Sequence, residues 1–259
     1  MEREVLSLLC DPDTRYSFEL EESSLRNTAT GRVYPIRDGI PLFVSTVSGS
    51  NLKFQSHYDR IARGYDLAEL LGSWVGLRRK FRREVLNELE ISARSRVLEV
   101  SVGTGANLRH MPPDVELFGI DLSWGMLQKC STNLEKWGVR AHLFQCEAER
   151  LPFRAEVFNC VFHVGGINFF NDKARAIKEM IWVARPGAKI VIVDEMDGEQ
   201  RCPIDAVPDG MQDVKTREIA RGRLYCLTFR KPFEFIAAQR PSASEGSAVR
   251  SMGANSPAR

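Results

Sequence analysis

From residue 96 onward, short apolar segments alternate with amphipathic ones, and this alternation predicts a sheet covered by helices. The strand-like segments are 97–100, 117–120, 158–166 and 189–194. Two helical patterns lie between strands, one with Ser123 as a candidate N-cap and Gly138 as its end, the other running from Asn171 to Ala184. Strands that alternate with helices predict a doubly wound α/β fold with a parallel sheet.

The two ends of this pattern differ from its middle. Segments 214–219 and 223–229 flank a short turn and predict an antiparallel hairpin at the end of the sheet. Segment 54–89 is helical by pattern, and the residues beyond about 238 carry too little apolar bulk to fold. We therefore divide the chain into 1–47, 48–95 (linker and N-terminal helices), 96–236 (the α/β domain) and a disordered tail, 237–259.

Residues 1–47 predict a small β-rich unit that resembles a ribbon. Segment 9–20 is typical of a turn followed by a strand. Segment 31–44 is typical of two strands joined at an Asp-Gly turn. Residues 45–51 have the composition of a flexible linker.

Composition indicates the class of protein and its compartment, but it does not indicate a reaction. The chain has 259 residues, 43% of them hydrophobic and 27% charged, as in ordinary globular proteins. A net charge of +2 gives no general electrostatic case for nucleic acid or membrane. No apolar run approaches the roughly 20 residues of a transmembrane helix, and the N-terminus lacks the pattern of a signal peptide. Six scattered cysteines without a C-x-x-C pair favour free thiols and a cytoplasmic protein.

Candidate chemistry concentrates where the first strand of the sheet ends. The strand carries Glu99 and runs into a turn that contains Gly103 and Gly105, which leave backbone open to a nucleotide-like ligand. Asp121 ends the second strand, where an acidic side chain can accept the hydroxyl protons of a ribose. A dinucleotide fingerprint needs a third glycine, but Leu108 stands there. This turn favours S-adenosylmethionine over NAD.

These motifs, in this order, resemble class I S-adenosylmethionine-dependent methyltransferases, in particular the methyltransferase type 11 or UbiE/MenG-like group. Five segments carry the resemblance, which covers roughly residues 55 to 232: 97–105, 119–127, 146–153, 158–166 and 184–194. It implies a seven-stranded Rossmann-like sheet with an antiparallel last strand, and S-adenosylmethionine as cofactor.

The resemblance also implies a set of cofactor-binding residues. Glu99 is expected near the methionine amino group, Asp121 at the ribose, Met126 on the adenine face, and Glu147 with the Ala148 amide at the adenine edge. The full set is Tyr65, Glu99, Ser101, Gly103, Gly105, Asp121, Leu122, Met126, Glu147 and Ala148.

Three of these positions carry an alternative or a departure. Tyr65 matches a tyrosine over the cofactor's methionine end, or it forms a buried helical stripe with Tyr58. Ser101 replaces the first glycine of the family's turn and puts a β-carbon beside the methionine part of the cofactor. Glu147 replaces the usual aspartate.

The N-terminal unit resembles the Trm112-like zinc-ribbon domain in its second half, Gly31 to Pro41. Where that family has four cysteines, we align Cys10, Asp13, Asn27 and Thr30, a set that cannot complete a sulfur-rich zinc shell. We therefore expect no metal. Ribbon-like domains in related proteins bind partners, so a protein partner through residues 1–47 is one hypothesis.

The methyl acceptor is less well indicated. His163 is a weak candidate for a general base, because a lone histidine in a buried strand is more often structural. Segment 163–168 lacks the Asn-Pro-Pro-Tyr type of loop, which argues against methylation of base amino groups. The basic segment 78–83 either binds the phosphate groups of RNA or lipid headgroups, or forms a solvent-exposed helix face.

Three functional hypotheses follow. The leading one is a methyltransferase that transfers a methyl group in line to a small-molecule or lipid-like acceptor. The second is an RNA or protein methyltransferase that docks through its N-terminal domain. The third is a non-catalytic binding module in which Ser101 marks a decayed cofactor site.

Overall fold

A computed structural model describes residues 1–44, 49–53, 55, 75–196, 202–220 and 222–233, with the backbone alone for 75–81. The helices are α1 (Arg3–Leu8), α2 (Val75–Glu88), α3 (Trp124–Trp137) and α4 (Lys173–Val183). The first strands are β1 (Phe18–Leu20), β2 (Ser24–Asn27), β3 (Val33–Arg37) and β4 (Ile40–Pro41). The others are β5 (Arg96–Val100), β6 (Glu116–Asp121), β7 (His142–Gln145), β8 (Phe158–Val164), β9 (Ala184–Glu195), β10 (Gln212–Ile219) and β11 (Leu224–Arg230). Within these residues, no helix is long and apolar enough to cross a bilayer.

The large sheet confirms the predicted fold class. Its seven strands lie in the order β10-β11-β9-β8-β5-β6-β7. Strands β5 to β9 are parallel, and β11 runs antiparallel to both β9 and β10. The chain winds outward from β5 through β6 to β7, then returns to β8 on the other side of β5. The carboxyl ends of β5 and β8 therefore form the switch point, where ligands bind in open α/β sheets.

The helix termini differ slightly from expectation. Ser123 caps α3 as predicted, and Gly138 ends it with a φ of 66°. For α4, Asp172 and not Asn171 is the N-cap, since its side chain accepts the Arg175 N–H. The strand β9 already begins at Ala184. The predicted Pro-Gly stop therefore lies inside the strand, because the backbone there pairs with Lys231 beyond β11.

The N-terminal residues form a four-stranded antiparallel sheet in the order β1-β2-β3-β4. We refer to residues 1–44 as the ribbon domain. The helix α1 and the strand β2 were not predicted. In β2 only Leu25 and Asn27 are buried, so its apolar pattern is too weak to recognise. The aromatic rings of Phe18, Tyr34 and Phe43 pack on one another, with centroids 5.2 to 5.6 Å apart.

The ribbon domain shares its hydrophobic core with the α/β domain. Leu9 pairs with Phe153, and Leu42 pairs with Gln145 at the edge strand β7. One apolar cluster contains ribbon residues such as Val5 and Leu9 together with residues of β5, β6 and α4. The boundary at residue 47 stays a prediction, but the ribbon covers an open edge of the large sheet.

A buried polar centre joins two turns of the ribbon domain. The Asn27 amide nitrogen donates to Asp11 Oδ2 over 2.7 Å and to Thr14 Oγ1 over 2.9 Å. Backbone N–H groups of the first turn bind Asp11 Oδ1. Hydrogen bonds therefore hold these two turns together, and the alignment of Cys10, Asp13, Asn27 and Thr30 with the zinc ribbon stays a prediction.

Candidate functional site

The glycine turn follows β5 directly and is fixed by Asp121. Its Oδ2 accepts the Gly103 N–H over 2.8 Å, and its Oδ1 accepts the Ser123 N–H over 2.9 Å. Ser101, Gly103 and Gly105 all have positive φ, at 62°, 55° and 81°. One carboxylate thus ties the turn to the start of α3. Each of its oxygens has lone pairs for further donors such as hydroxyl groups.

The two glycines serve different purposes. A β-carbon at Gly103 would meet no atom of the described residues within 4 Å, so this glycine borders space that they leave open. A β-carbon at Gly105 would lie 2.8 Å from the Cys130 Sγ on α3. We infer that Gly103 leaves room for a ligand, whereas Gly105 allows the turn to pack on the helix.

Glu99 is buried with half of its carboxylate unsatisfied. Its Oε1 accepts the Asn107 amide over 2.6 Å, while Oε2 has no hydrogen-bond partner among the described residues. Burial raises the pKa of Glu99 to about 8, although Asn107 and the Arg82 charge oppose the rise. Arg82 in turn donates to Asn107 over 3.0 Å. An orphaned buried oxygen beside the turn suits a cationic or donor group of a ligand.

Residues 49–55 form hydrogen bonds with residues that were predicted to contact the cofactor, among them Glu147 at the adenine edge. Asn51 donates to Glu147 Oε1 over 3.0 Å and also contacts Glu149. The Leu122 carbonyl accepts the side-chain amides of Gln55 and Gln145, over 3.2 and 2.9 Å. These contacts bring the segment before α2 against the ends of β6 and β7.

Other predicted site residues are buried or lie outside the described part of the chain. Met126 is 2% exposed and Ala148 is 5% exposed, so their side chains contribute mainly to packing in this structure. Tyr65 lies outside the described residues, and so does its alternative partner Tyr58.

His163 lies at the switch point, on β8 opposite Val100 of β5. Its Nδ1 is 2.9 Å from the Val100 carbonyl oxygen. A carbonyl can only accept, so Nδ1 carries the proton and Nε2 presents a lone pair. That Nε2 is buried and has no partner among the described residues. Burial lowers the pKa of His163, which keeps the ring neutral, while the nearby Asp194 charge opposes this.

Sequence reasoning missed two buried residues on β9 and β11, the next two strands of the sheet after β8. Asp194 and Tyr225 are paired across β9 and β11, and both are almost fully buried. The Tyr225 hydroxyl also has no partner among the described residues. Burial and the Asp194 charge raise the pKa of Tyr225, so the hydroxyl stays protonated. The period of two along β9 could have indicated the face of Asp194, but the β9–β11 register was not readable from the sequence.

Comparison with known proteins gives this site a family. Residues 97–187 match a family model described as a methyltransferase domain. This part of the chain is a class I S-adenosylmethionine-dependent methyltransferase domain. Over 140 residues the chain is 31% identical to the "Ubiquinone/menaquinone biosynthesis C-methyltransferase UbiE" of Syntrophotalea carbinolica, covering 53% of this chain and 59% of that protein. The chain spans about three fifths of the length of the curated relatives it matches.

Three solved structures share the fold of the methyltransferase domain. The [4+2]-cyclase SpnF has a TM-score of 0.62 at 14% identity, over 73% of this chain and 99% of that chain. The N-methyltransferase NodS from Bradyrhizobium japonicum, in complex with S-adenosylhomocysteine, has a TM-score of 0.57 at 18% identity, over 69% and 98%. A complex between the Haloferax volcanii Trm112 activator and a methyltransferase gives 0.56 at 14% identity, over 68% and 97%. At these identities the likeness concerns the fold alone.

S-adenosylmethionine is the cofactor of this domain family, and the residues present fit it. Glu99 Oε2 is a buried acceptor without a partner, and Gly103 borders open space. Asp121 stands at the end of β6, where a ribose would lie. Ser101, with its positive φ, is the one departure in the turn.

Proposed function

We propose that this chain transfers a methyl group from S-adenosylmethionine to a small, largely apolar acceptor of quinol type. The observation that carries the proposal is the buried, half-satisfied Glu99 carboxylate beside the Gly103 turn. The cofactor supplies an electrophilic methyl group. The protein's task is to hold the acceptor in line with that group and to exclude water.

The carboxyl edge of the sheet favours an apolar acceptor. After β8 and β9, partly buried apolar side chains at this edge pack against the main core: Phe170, Met196 and Cys202. A wall of this composition suits a ring or a lipid-like chain better than a phosphate backbone. The name of the UbiE relative points to the same class of acceptor.

The arginines near this domain give little support to an RNA acceptor. Arg82 donates to Asn107, and Arg217 and Arg230 pair with Glu88 and Glu90. These charges are at least partly compensated, whereas nucleic-acid binding needs arginines that can reach phosphate groups. The side chains of residues 78–81 are outside the description, so the RNA hypothesis remains an outcome of the test.

A role in docking for the ribbon domain has a different basis. The Haloferax volcanii neighbour is a complex with a separate activator protein. Here the ribbon domain lies within the same chain and pairs with β7 through Leu42. We propose that the ribbon supports the methyltransferase domain internally. A further partner, like the cytoplasmic location, stays a prediction.

The first test is calorimetry with S-adenosylmethionine and S-adenosylhomocysteine. We expect micromolar binding by the wild type and at least a tenfold loss in Asp121→Ala, because that carboxylate fixes Gly103 and receives the ribose. Binding followed by methylation of a quinol supports the proposal, whereas methylation of RNA or protein alone would replace it. Absence of binding would leave the non-catalytic module.

A further inference from the structure

Two buried polar atoms without partners lie on one face of the sheet at its carboxyl edge. The register pairs Val100 with His163, His163 with Ile192, and Asp194 with Tyr225. Paired residues, and residues two apart in a strand, point to the same face. His163 and Tyr225 therefore flank Asp194 on the side of the sheet that α4 covers.

The two atoms are complementary as a hydrogen-bonding pair. The Nε2 of His163 is an acceptor, because Nδ1 holds the proton for the Val100 carbonyl. The hydroxyl of Tyr225 is a donor. Asp194 cannot serve the His163 lone pair, and its own oxygens accept the N–H groups of Asn168 and Glu195. Leaving a donor and an acceptor buried and unpaired costs free energy, which a ligand with the opposite groups recovers.

We propose that His163 and Tyr225 form the polar end of the acceptor subsite and bind the hydroxyl group of an aromatic acceptor. The acceptor's O–H donates to Nε2, and its oxygen accepts from the Tyr225 hydroxyl. This inference rests on the proposed function and specifies its substrate class as a phenol or quinol. It also makes His163 a catalytic residue and Tyr225 a binding residue.

The proton step is balanced within this pair. The acceptor's O–H bond breaks, an N–H bond forms at Nε2, and the electron pair stays on the acceptor. That pair makes the oxygen, or the ring carbon next to it, the nucleophile. If the oxygen is methylated, the imidazolium returns its proton to solvent. If the ring carbon is methylated, that carbon then loses its own proton to solvent and the imidazolium returns the first proton to the oxygen, so His163 is unchanged in either case.

Space next to His163 supports this subsite. Gly165 and Gly166 follow β8 with φ values of 82° and 105°, and an added β-carbon on either would meet no atom within 4 Å in the part of the chain that the structure describes. The ring of Phe170 packs edge-on to the imidazole, with centroids 5.3 Å apart. An aromatic acceptor would therefore meet open backbone, an aromatic edge and two polar anchors.

The test is binding of a probe to the full chain saturated with S-adenosylhomocysteine. The probe is 1,4-dihydroxynaphthalene, kept reduced without oxygen, and its matched control is 1,4-dimethoxynaphthalene, which has no hydroxyl donor. We expect the diol to bind at least tenfold more tightly than the diether. Tyr225→Phe and His163→Asn should each weaken diol binding about tenfold. His163→Asn should leave diether binding unchanged, whereas Tyr225→Phe should also weaken it, because an ether oxygen still accepts from the Tyr225 hydroxyl. Asparagine keeps a donor for Val100 but has no lone pair at the Nε2 position.

The outcomes separate this inference from the proposed function. Each variant should bind S-adenosylhomocysteine within twofold of the wild type, which shows that the fold and cofactor site are intact. Equal affinity for diol and diether, no saturable diol binding, or parallel losses of diol and cofactor affinity would overturn the subsite. If the wild type fails to bind S-adenosylhomocysteine, the proposed function fails first.

Discussion

The ribbon domain and the carboxyl edge of the large sheet both bury polar side chains, but they satisfy them differently. In the ribbon, Asp11 is 1% exposed, and each of its oxygens accepts two hydrogen bonds. At the carboxyl edge, one polar atom each of Glu99, His163 and Tyr225 has no partner among the described residues. In the described part of the chain, the only other buried side-chain nitrogen or oxygen atoms without a partner are the indole nitrogens of Trp124 and Trp182.

This difference separates a structural polar centre from a binding site. A buried group without a partner costs free energy, so an unliganded chain retains several of them together only where something outside the chain completes them. The Asp11 centre in the ribbon needs no ligand, because both carboxylate oxygens are fully hydrogen-bonded within the chain. We therefore interpret the unpaired atoms at the carboxyl edge as groups that bound ligands complete.

The largest expected effect is on the closed centre. Asp11→Ala should lower the free energy of unfolding by about 4 kcal/mol, because it removes the acceptor of one Asn27 N–H, of the Tyr34 hydroxyl and of two backbone N–H groups. Urea denaturation would measure this. Asp13→Ala is the control, since Asp13 is a partly exposed ion-pair partner of Arg32 and should cost less than 1 kcal/mol. Equal losses in both variants would contradict a structural centre at Asp11.

At the carboxyl edge, by contrast, replacing the buried acid Glu99 should stabilise the ligand-free protein. In the folded protein burial raises the pKa of Glu99 from 4.5 to about 8. Between these values the unfolded chain loses the proton while the folded chain keeps it, so stability falls as pH rises. Glu99→Gln removes this loss. It should stabilise the ligand-free protein by about 3 kcal/mol at pH 7, with almost no gain at pH 4.5.

The same substitution should weaken S-adenosylmethionine binding, because a neutral amide attracts a cationic amino group less than a carboxylate does. Thermal melts across this pH range and calorimetry at pH 8 measure both effects. Glu116→Gln is the control, since Glu116 sits in a half-exposed pair with Arg96 and should show neither effect. A stabilised variant with undiminished affinity would show that Glu99 does not contact the cofactor.

The sequence predicted the parts of the site that lie along one stretch of chain. The turn from Glu99 to Gly105 and the carboxylate of Asp121 carry a recognisable spacing, and the alternation of strands and helices was enough for the sheet. The Asp11 centre was missed because Asp11 meets Asn27 only through contact between two turns that are separate in the sequence. Tyr225 was missed because it meets Asp194 only through an antiparallel register between distant strands.

Within the glycine turn, Gly103 and Gly105 allow a packing role to be compared with a ligand-binding role. Gly105→Ala should lower stability by about 2 kcal/mol, since its φ is 81° and the new β-carbon would lie 2.8 Å from the Cys130 Sγ. Gly103→Ala shares the positive φ but has open space, so it should cost about 1 kcal/mol and chiefly weaken cofactor binding. Melting temperatures and calorimetry separate the two. The packing explanation requires that Cys130→Ala partly rescue Gly105→Ala and leave Gly103→Ala unchanged.

The smallest expected change in stability is at Ser101, where glycine and alanine variants separate the effect of the β-carbon from that of the hydroxyl group. Its φ of 62° is left-handed, which costs a residue with a β-carbon about 1 kcal/mol relative to glycine. Ser101→Gly should therefore add about 1 kcal/mol to stability and tighten S-adenosylmethionine binding several-fold, because it removes a β-carbon beside the methionine part of the cofactor. Ser101→Ala keeps the β-carbon and should give neither gain. If alanine tightened binding as much as glycine, the hydroxyl group would be the obstacle. The backbone strain at this turn would then be unrelated to cofactor affinity.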